Sequence, residues 1–258
     1  MNVSNPVAML RNRLRRAEIY CRPEYWNAKA ETYAGHAISM WPNNNLNQHY
    51  VLEQERVLHK LLPDVADHDV LDVGCGTGRI SRLLATWGAR IVGFDFSEKS
   101  VAVARELSPG ENPSYRVQSV FELDDVEQFD IALCWGVLTV ACRTRDDLAQ
   151  ALRRIRASLR PNGTAAFLEP IHRGFLSRVL NLNLREFCEV LTESGFTVRH
   201  VEQMHFWPTR LMLAYVPWPR LITSPIYHLG QFLMRLPGLR QLGDYKCVVA
   251  SPVPESIS

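Results

Sequence analysis

The fold is decided by the stretch Val70-Leu71-Asp72-Val73-Gly74-Cys75-Gly76-Thr77-Gly78. Its apolar first half predicts a buried strand, and its alternating glycines predict a tight turn that leads into a helix. Glycines allow a backbone to approach a ligand closely, and the free amides at a helix start favour negatively charged groups. We therefore expect a cofactor at the carboxyl end of this strand.

The spacing of the glycines narrows the choice of cofactor. Arg79 stands where the dinucleotide-binding fingerprint requires its last glycine, and no Gly-Lys-Ser/Thr of a P-loop follows. Asp95 ends the next predicted strand, 21 residues after Gly74, and a carboxylate there can accept both hydroxyls of a ribose. A nicotinamide-dependent oxidoreductase remains an alternative enzyme, but the pair fits an adenosyl cofactor better.

Strand and helix patterns alternate on both sides of this loop. The predicted strands cover residues 69–73, 90–95, 114–120, 129–135, 164–168, 196–201 and 245–250, and the predicted helices cover 50–61, 78–87, 99–107, 146–159 and 184–194. Pro161-Asn162-Gly163 predicts a turn before the fifth strand. This order predicts an α/β fold: a doubly wound, mostly parallel seven-stranded sheet with helices on both faces.

Two segments fall outside the sheet pattern. We expect an N-terminal helical lid over residues 1–60, a Rossmann-like core over 61–202 and 244–251, and a substrate-cap insert over 203–243. The insert has no Asp or Glu, four arginines and several aromatic residues. It fits a cap over an apolar pocket, an interfacial surface for a membrane or lipid-like substrate, or a helical pair that only packs on the sheet.

Composition excludes several classes of function. The 258 residues are 47% hydrophobic with a formal net charge of +2, which supports a full core and gives no basic excess for nucleic acid. The six cysteines form no C-x-x-C pair, so no metal site is expected. The chain shows no signal-peptide pattern and no long apolar run, so we expect a cytoplasmic protein with at most peripheral membrane contact through 203–243.

Four ordered segments resemble the class I S-adenosylmethionine-dependent methyltransferases. They are residues 70–78, 91–97, 129–138 and 159–164, within a similar region of about 65–202. The resemblance implies that S-adenosylmethionine is the cofactor and that Asp95 holds its ribose. It assigns the methionine end to Asp72, Gly74, Cys75, Gly76 and Gly78, the adenine to Phe96, Ser119, Val120 and Phe121, and the region near the sulfonium to Cys134 and Trp135.

The sequence departs from this family at two places. Ser119 stands where many relatives carry an acid beside the adenine, and residues 139–142 lack the histidine that many relatives have after the fourth strand. His172, just after the fifth strand, and His205, at the start of the insert, are therefore the candidate bases. Each is also explained by a surface or capping role, as are His36 and His49.

The resemblance also implies an aromatic lid over the sulfonium, where cation–π attraction is available. Tyr33 and Trp41 are the candidates, with side-chain packing as the alternative. The resulting hypothesis is a methyltransferase acting on a small or amphipathic organic molecule, with oxygen as the family-level choice of acceptor. The alternatives are a non-catalytic cofactor-binding partner protein and a methyltransferase acting on a lipid-like substrate. The oligomeric state is left open.

Overall fold

The computed structural model describes residues 15–33 and 41–253, without the side chains of Thr32 and Tyr33. Three helices precede the sheet: α1 (Arg16–Ile19), α2 (Pro23–Tyr33) and α3 (Asn44–Leu61). Helix α3 begins six residues before the predicted start because the Asn43 side chain accepts a hydrogen bond from the Leu46 amide at 3.1 Å. The sequence also predicts an amphipathic stripe of Met9, Leu10, Leu14 and Ala17, of which only Ala17 is described, in α1.

The core alternates strands and helices as predicted. Its elements are β1 (Asp69–Val73), α4 (Arg79–Thr86), β2 (Arg90–Asp95), α5 (Glu98–Glu106), β3 (Ser114–Val117), β4 (Phe129–Trp135), α6 (Leu138–Ala141), α7 (Arg145–Ser158), β5 (Leu159–Glu169), α8 (Leu184–Glu193), β6 (Phe196–Phe206), α9 (Trp207–Leu213), α10 (Arg220–Leu233) and β7 (Gly243–Pro252). Short 3-10 turns cover Val120–Glu122, Gly174–Leu176 and Arg240–Leu242.

The seven strands form one sheet in the order β3-β2-β1-β4-β5-β7-β6. Strands β1 to β5 pair in parallel, and β7 pairs antiparallel with both β5 and β6. The predicted mostly parallel sheet is thus confirmed. Because the chain builds outward from β1 in one direction and from β4 in the other, the order reverses between these two strands. Ligands of open α/β sheets bind at such a switch point.

Strand boundaries differ from prediction where tertiary pairing extends or interrupts a strand. The predicted turn at residues 161–163 lies within β5. The register between β4 and β5 shifts there, because Phe129 pairs with Leu159 and Ile131 pairs with Thr164. Strand β3 ends at Val117, three residues early. Strand β6 continues to Phe206 because β7 pairs with it almost throughout, so His205 belongs to a strand and the helical part of the insert begins at Trp207.

Each face of the sheet carries its own apolar core. One core packs β4, β5 and β7 against α7 and α8, with Phe167, Phe187 and Phe196 fully buried in edge-to-face contact. The other packs β1 and β2 against α3 and α4 through residues such as Leu58 and Leu84. Burial on both faces explains why the central strands are nearly continuous apolar runs.

A third cluster joins the N-terminal helices to the insert. It contains Leu46 and Tyr50 from α3, Leu213 and Ala214 from the α9 end, and Tyr227 from α10. The buried Asn43 side chain reinforces it by donating to the Leu213 carbonyl and to Thr223 Oγ1, both at 3.1 Å. Within the described part of the chain, no helix is both long and apolar enough to span a membrane.

Candidate active site

A cavity of about 430 Å³ opens at the carboxyl ends of the parallel strands. Its wall is formed by the loops after β1, β2, β3 and β4, by α2, and by side chains from α3, α4 and β7. Its lining is mostly apolar, with a few polar groups concentrated at the β1 and β2 ends. Both the location and the lining are typical of a small-molecule site in this architecture.

The three glycines after β1 do different things. All have positive φ, at 66°, 54° and 76° for Gly74, Gly76 and Gly78. A Cβ on Gly74 would lie 2.4 Å from the Val137 side chain, and one on Gly78 would lie 2.4 Å from the Tyr115 hydroxyl. A Cβ on Gly76 meets nothing within 4 Å. Only its positive φ favours glycine at position 76, which faces open space. At Gly74 and Gly78 a side chain would also collide with a neighbouring residue.

One prediction about this loop is corrected. Gly74, Gly76, Asp72 and Cys75 line the cavity, but Gly78 does not. Gly78 is the left-handed residue that starts α4, backed by Tyr115. It shapes the loop instead of facing a ligand.

Asp95 lies at the end of β2 and faces the cavity. Its Oδ2 accepts from the Gly76 amide at 3.0 Å, and its Oδ1 accepts from the Ser97 amide at 2.8 Å. Burial raises the pKa of Asp95 to about 6, although both amide bonds favour the ionised form. The carboxylate therefore bridges the glycine loop and the β2 loop and is charged at neutral pH.

Asp72 and Cys75 lie at the start of the glycine loop and stabilise it through buried contacts. Asp72 is almost fully buried, and Ser81 Oγ donates to its Oδ2 at 2.5 Å. Burial, with a smaller effect of the nearby Asp95 charge, raises the pKa of Asp72 to about 6. Burial raises the pKa of the Cys75 thiol well above its usual value, so Cys75 is a packing group rather than a nucleophile.

The end of the cavity beyond β3 is built from Phe96, Ser119, Val120 and Phe121 as predicted. The Ser119 hydroxyl caps the 3-10 turn, accepting from the Phe121 amide at 3.3 Å. Gln118 also lines this end, and sequence reasoning missed it. Its amide nitrogen donates to the Glu122 carbonyl at 3.0 Å, while its buried Oε1 has no hydrogen-bond partner. A buried, unpaired acceptor is costly unless a ligand donor meets it.

The end of β4 separates two neighbouring predictions. Trp135 lines the cavity, but Cys134 is completely buried in the core on the other side of the sheet. Side chains alternate across a strand, so adjacent residues cannot both face the ligand. Burial also raises the pKa of the Cys134 thiol well above its usual value. The expected side-chain contact of Cys134 near the cofactor is therefore wrong.

Glu169, which sequence reasoning also missed, holds the loop after β4. The fully buried carboxylate accepts from the amides of Val137, Leu138 and Thr139 at 2.8 to 3.1 Å and from Thr139 Oγ1 at 2.7 Å. This loop supplies Gly136 and Val137 to the cavity wall, and α6, which follows it, supplies Val140 and Ala141. The carboxylate at the end of β5 thus fixes the shape of the apolar end of the cavity.

Helix α2 and the residues before it close the outer side of the cavity. Tyr20, Cys21, Trp26, Lys29 and Ala30 line it. Tyr20 and Trp26 are in contact, with ring centroids 5.7 Å apart, and the Trp26 indole donates to the Tyr20 carbonyl at 2.7 Å. Ser97 Oγ donates to Asn27 Oδ1 at 2.7 Å, which ties this helix to the loop after β2.

Of the two aromatic lid candidates, Tyr33 and Trp41, the structure describes the side chain of Trp41 only. Tyr33 is the last residue of α2, and its side chain lies outside what the structure describes, as does His36. Trp41 packs edge-on against Tyr215 at 5.4 Å and lies 5.3 Å from the Arg210 guanidinium. It does not line the cavity, because its neighbours come from the insert rather than from the glycine loop.

Neither candidate catalytic histidine, His172 or His205, lines the cavity. His172 Nε2 lies 2.9 Å from Asp244 Oδ1, and the buried Arg210 approaches the other oxygen of Asp244 at 3.1 Å. Asp244 has a pKa held well below its usual range: burial opposes the charge, but the Arg210 and His172 contacts outweigh it. His172 therefore orients a buried carboxylate, which contradicts its expected place at the acceptor. His49 instead stacks on Tyr227 at 4.4 Å.

His205 is also engaged elsewhere. Glu53 accepts from its backbone amide and its Nδ1, both at 2.9 Å, and Tyr50 stacks on its ring at 3.8 Å. Its φ of 61° lies in the left-handed region, which costs a residue other than glycine about 1–2 kcal/mol. Both the burial and the strain indicate a structural residue rather than the expected base.

A polar chain links His205 to the cavity. Arg79 donates to Gln54 Oε1 at 2.7 Å, which turns the Gln54 amide nitrogen towards His205 Nε2 at 3.2 Å. Because arginine only donates, Gln54 must be the donor to His205, whose Nε2 is then an acceptor. Gln54 and Arg79 both line the cavity. Tyr227 of the insert donates to Glu53 at 2.9 Å, so this chain joins the insert to the glycine loop.

The missed cavity residues left few sequence signals. Tyr245, Gln54 and Gln118 sit in ordinary strand, helix and loop patterns, and only the fold brings them to the cavity. Trp26 did have a signal, because it belongs to an aromatic stretch in the expected lid. No motif distinguishes Trp26 from Trp41, because only the tertiary structure shows which of the two side chains faces the cavity.

Comparison with known proteins agrees with this geometry. A family model described as a methyltransferase domain matches residues 70–163. The ubiquinone biosynthesis O-methyltransferase of Bradyrhizobium diazoefficiens is 29% identical over 141 residues, covering 54% of this chain and 50% of the relative. The enzyme of the same name from Bordetella bronchiseptica is 27% identical over 179 residues, covering 67% and 68%. The chain thus spans about half the length of the first relative.

The fold has solved counterparts as well. The crystal structure of an S-adenosylmethionine-dependent methyltransferase from Mesorhizobium loti aligns with a TM-score of 0.58 at 22% identity, covering 76% of this chain and 96% of that one. Residues 70–163 match a methyltransferase domain and the fold is that of this solved methyltransferase, which agrees with the family predicted from residues 70–78 and the motifs that follow.

The residues present fit S-adenosylmethionine, the cofactor of this class. The open space beside Gly76 suits the methionine end, and the Asp95 carboxylate suits the ribose hydroxyls. The unpaired Gln118 Oε1 suits the adenine amino group, which only donates there. Gln118 would thus supply the acceptor for the adenine amino group in place of the acid that many relatives carry at the position of Ser119.

Proposed function

We propose that this protein transfers the methyl group of S-adenosylmethionine to an oxygen of a small or amphipathic organic molecule. The observation that carries the proposal is the division of one cavity into two ends. The Gly76, Asp95 and Gln118 end fits the cofactor, and the apolar end between Trp135, Val140 and Tyr245 leaves room for an acceptor. The names of the relatives, which are O-methyltransferases, support oxygen as the acceptor atom.

The protein's part in the reaction is positioning and exclusion of water. The cofactor supplies an electrophilic methyl group on a sulfonium, so the residues need only hold the acceptor oxygen in line. The Glu169 hydrogen bonds fix the loop that carries Val137 and Val140. Tyr20 and Trp26 cover the cavity from the N-terminal side. No residue of the 203–243 insert lines the cavity, so the expected cap does not cover it; the insert packs on α3, whose Gln54 does line it.

A hydroxyl acceptor must also lose its proton. Lys29 lines the cavity, and burial lowers its pKa. We assign it the role of base: its neutral amine takes the proton of the acceptor hydroxyl. Lys29→Met and Lys29→Arg should both lower kcat and remove the rise of activity with pH that deprotonation of Lys29 produces, because neither side chain can accept a proton.

The test is incubation with methyl-labelled S-adenosylmethionine and an extract of the source organism, followed by separation of aqueous metabolites, lipids and macromolecules. Asp95→Ala serves as the matched control because it should lose the cofactor. Label in aqueous metabolites or lipids that depends on Asp95 supports the proposal. Label only in macromolecules overturns the substrate class. Cofactor binding without label in any fraction favours a non-catalytic cofactor-binding protein.

A further inference from the structure

Helix α10 carries an apolar stripe on its outer face. Leu221, Leu229 and Phe232 are 89%, 55% and 57% exposed. They lie at spacings of eight and three residues, with the exposed Pro225 between them, and therefore share one side of the helix. Thr223, Tyr227 and Gly230 are buried on the opposite side. The packing of α10 on the protein is thus complete without the stripe.

The stripe is part of a larger concentration of exposed apolar side chains. Of the fourteen large exposed hydrophobic residues in the described chain, eight lie between Trp207 and Leu242. They are Met212, Val216, Trp218, Leu221, Ile222, Leu229, Phe232 and Leu236. A concentration of this kind marks a surface that meets another apolar phase or partner.

The charge around the stripe has one sign. The insert contains no acidic residue between Gln203 and Gly243. Arg235 and His228 lie beside the stripe, and both are exposed. In the described chain neither Arg220 nor Arg235 has an ion-pair partner. The other two arginines of the insert are paired, Arg210 with Asp244 and Arg240 with Glu202. The free positive charge therefore sits at the apolar stripe.

We propose that the outer face of α10 binds the surface of an anionic lipid bilayer. An apolar stripe beside unpaired arginines suits burial of the stripe at the acyl boundary with the arginines at the headgroups. Trp218, which is partly exposed just before the helix, suits the same boundary. The helix has 14 residues and is about 21 Å long, which is too short to cross a hydrocarbon core of about 30 Å. It lies along the surface.

A bilayer is favoured over a second copy of the chain because of this charge. In a symmetric dimer built on the stripe, the unpaired arginines of one protomer would face those of the other, with no acidic residue of the insert to compensate. Anionic headgroups supply the missing counter-charge. The surface lies outside the cavity, so the inference does not depend on methyl transfer.

The test is co-sedimentation of the full chain with vesicles of phosphatidylcholine alone and of phosphatidylcholine with about 30% phosphatidylglycerol. We expect binding to the anionic vesicles, weakening as salt rises because the exposed arginines are screened. Leu229→Asp and Phe232→Ser should each weaken the partition about tenfold, because each removes an apolar side chain from the lipid. Arg220→Gln with Arg235→Gln should remove the preference for anionic lipid.

Val126→Asp is the matched control for Leu229→Asp, since Val126 is a 66% exposed aliphatic residue outside the insert. Its vesicle binding should equal that of the unchanged protein, and all variants should bind S-adenosylmethionine normally. Binding to neither vesicle overturns the proposal. So does equal weakening by Val126→Asp, or a dimer in solution that Leu229→Asp dissociates. Loss of methyl transfer with vesicle binding intact would count against the proposed function alone.

Discussion

The two halves of the molecule are stabilised in different ways. The cofactor half runs from β1 to the loop after β3. It is stabilised by hydrogen bonds from backbone amides to side chains close in sequence, such as those that Asp95 accepts from the Gly76 and Ser97 amides. The insert half is held by side chains far apart in sequence, as where Glu53 meets His205 and Tyr227. The first kind of contact is encoded in a short motif, and the second needs the completed fold.

The largest expected effect tests the insert half. Glu53→Ala leaves the His205 amide, the His205 ring and the Tyr227 hydroxyl without an acceptor in a buried site. Losing a buried charged partner costs about 3–5 kcal/mol of unfolding free energy. Urea unfolding measures it, and Glu55→Ala, two residues further along the same helix at a less buried position, is the control. A loss below about 1 kcal/mol would show that the network does not hold the insert.

The next effect tests the cofactor half without breaking it. Asp95→Asn should raise the dissociation constant for S-adenosylmethionine about 100-fold, because two charge-assisted hydrogen bonds to the ribose are weakened. Calorimetric titration measures this, with Asp146→Asn on the exposed start of α7 as the control. The pKa of Asp95 is raised to about 6, so its charge above that pH costs the cofactor-free fold free energy. Asparagine keeps only one of the two amide bonds, and this loss opposes the relief of the buried charge. The free energy of unfolding at pH 8 should therefore change by no more than about 1 kcal/mol.

A smaller effect concerns the adenine end. Gln118→Leu removes the unpaired Oε1 acceptor and should weaken cofactor binding about tenfold, the value of one good hydrogen bond. Gln118→Glu keeps an acceptor but loses the amide donor to the Glu122 carbonyl and to Asp124 Oδ1, so it should retain more affinity than Gln118→Leu but less than the unchanged protein. The same titration compares the two variants. Equal affinities for leucine and glutamate would remove Gln118 from the cofactor site.

The smallest effect is a dependence on pH. Because burial raises the pKa of both Asp95 and Asp72 to about 6, both carboxyls gain protons as pH falls through that value. The affinity for S-adenosylmethionine should then fall about fourfold between pH 7.5 and pH 5.5. In Asp95→Asn the remaining dependence should be shallower, since only Asp72 still titrates. A pH-independent affinity in the unchanged protein would contradict ribose binding by ionised Asp95.

Much of the cofactor half was predictable from sequence. The first, second and fourth strands have the predicted bounds, and Asp95, Gly76 and Phe121 line the cavity as expected. The Ser97 cap in this half, like the Asn183 cap outside it, forms where a short polar side chain precedes a helical pattern. These features depend on backbone conformation over a few residues, which local residue types control.

The acceptor side was less predictable. His172, His205 and Trp41 are suitable residue types near suitable strand ends, yet each is turned towards a buried partner. A one-residue step along β4 decides that Trp135 faces the cavity and Cys134 the core. A motif gives position along the chain, but not which side of an element a side chain takes when both sides are buried.

The sequence by itself determined the sheet, the glycine loop and the carboxylate at the end of β2, because strand periodicity, positive-φ glycines and a strand-end acid act locally. Only the tertiary structure decided that Gln118 and Trp26 face the cavity, that Glu53 and Asp244 are buried under the insert, and that the outer face of α10 is bare. The last two outcomes depend on pairing between β6 and β7 and between α3 and α10, which join residues at least 37 positions apart.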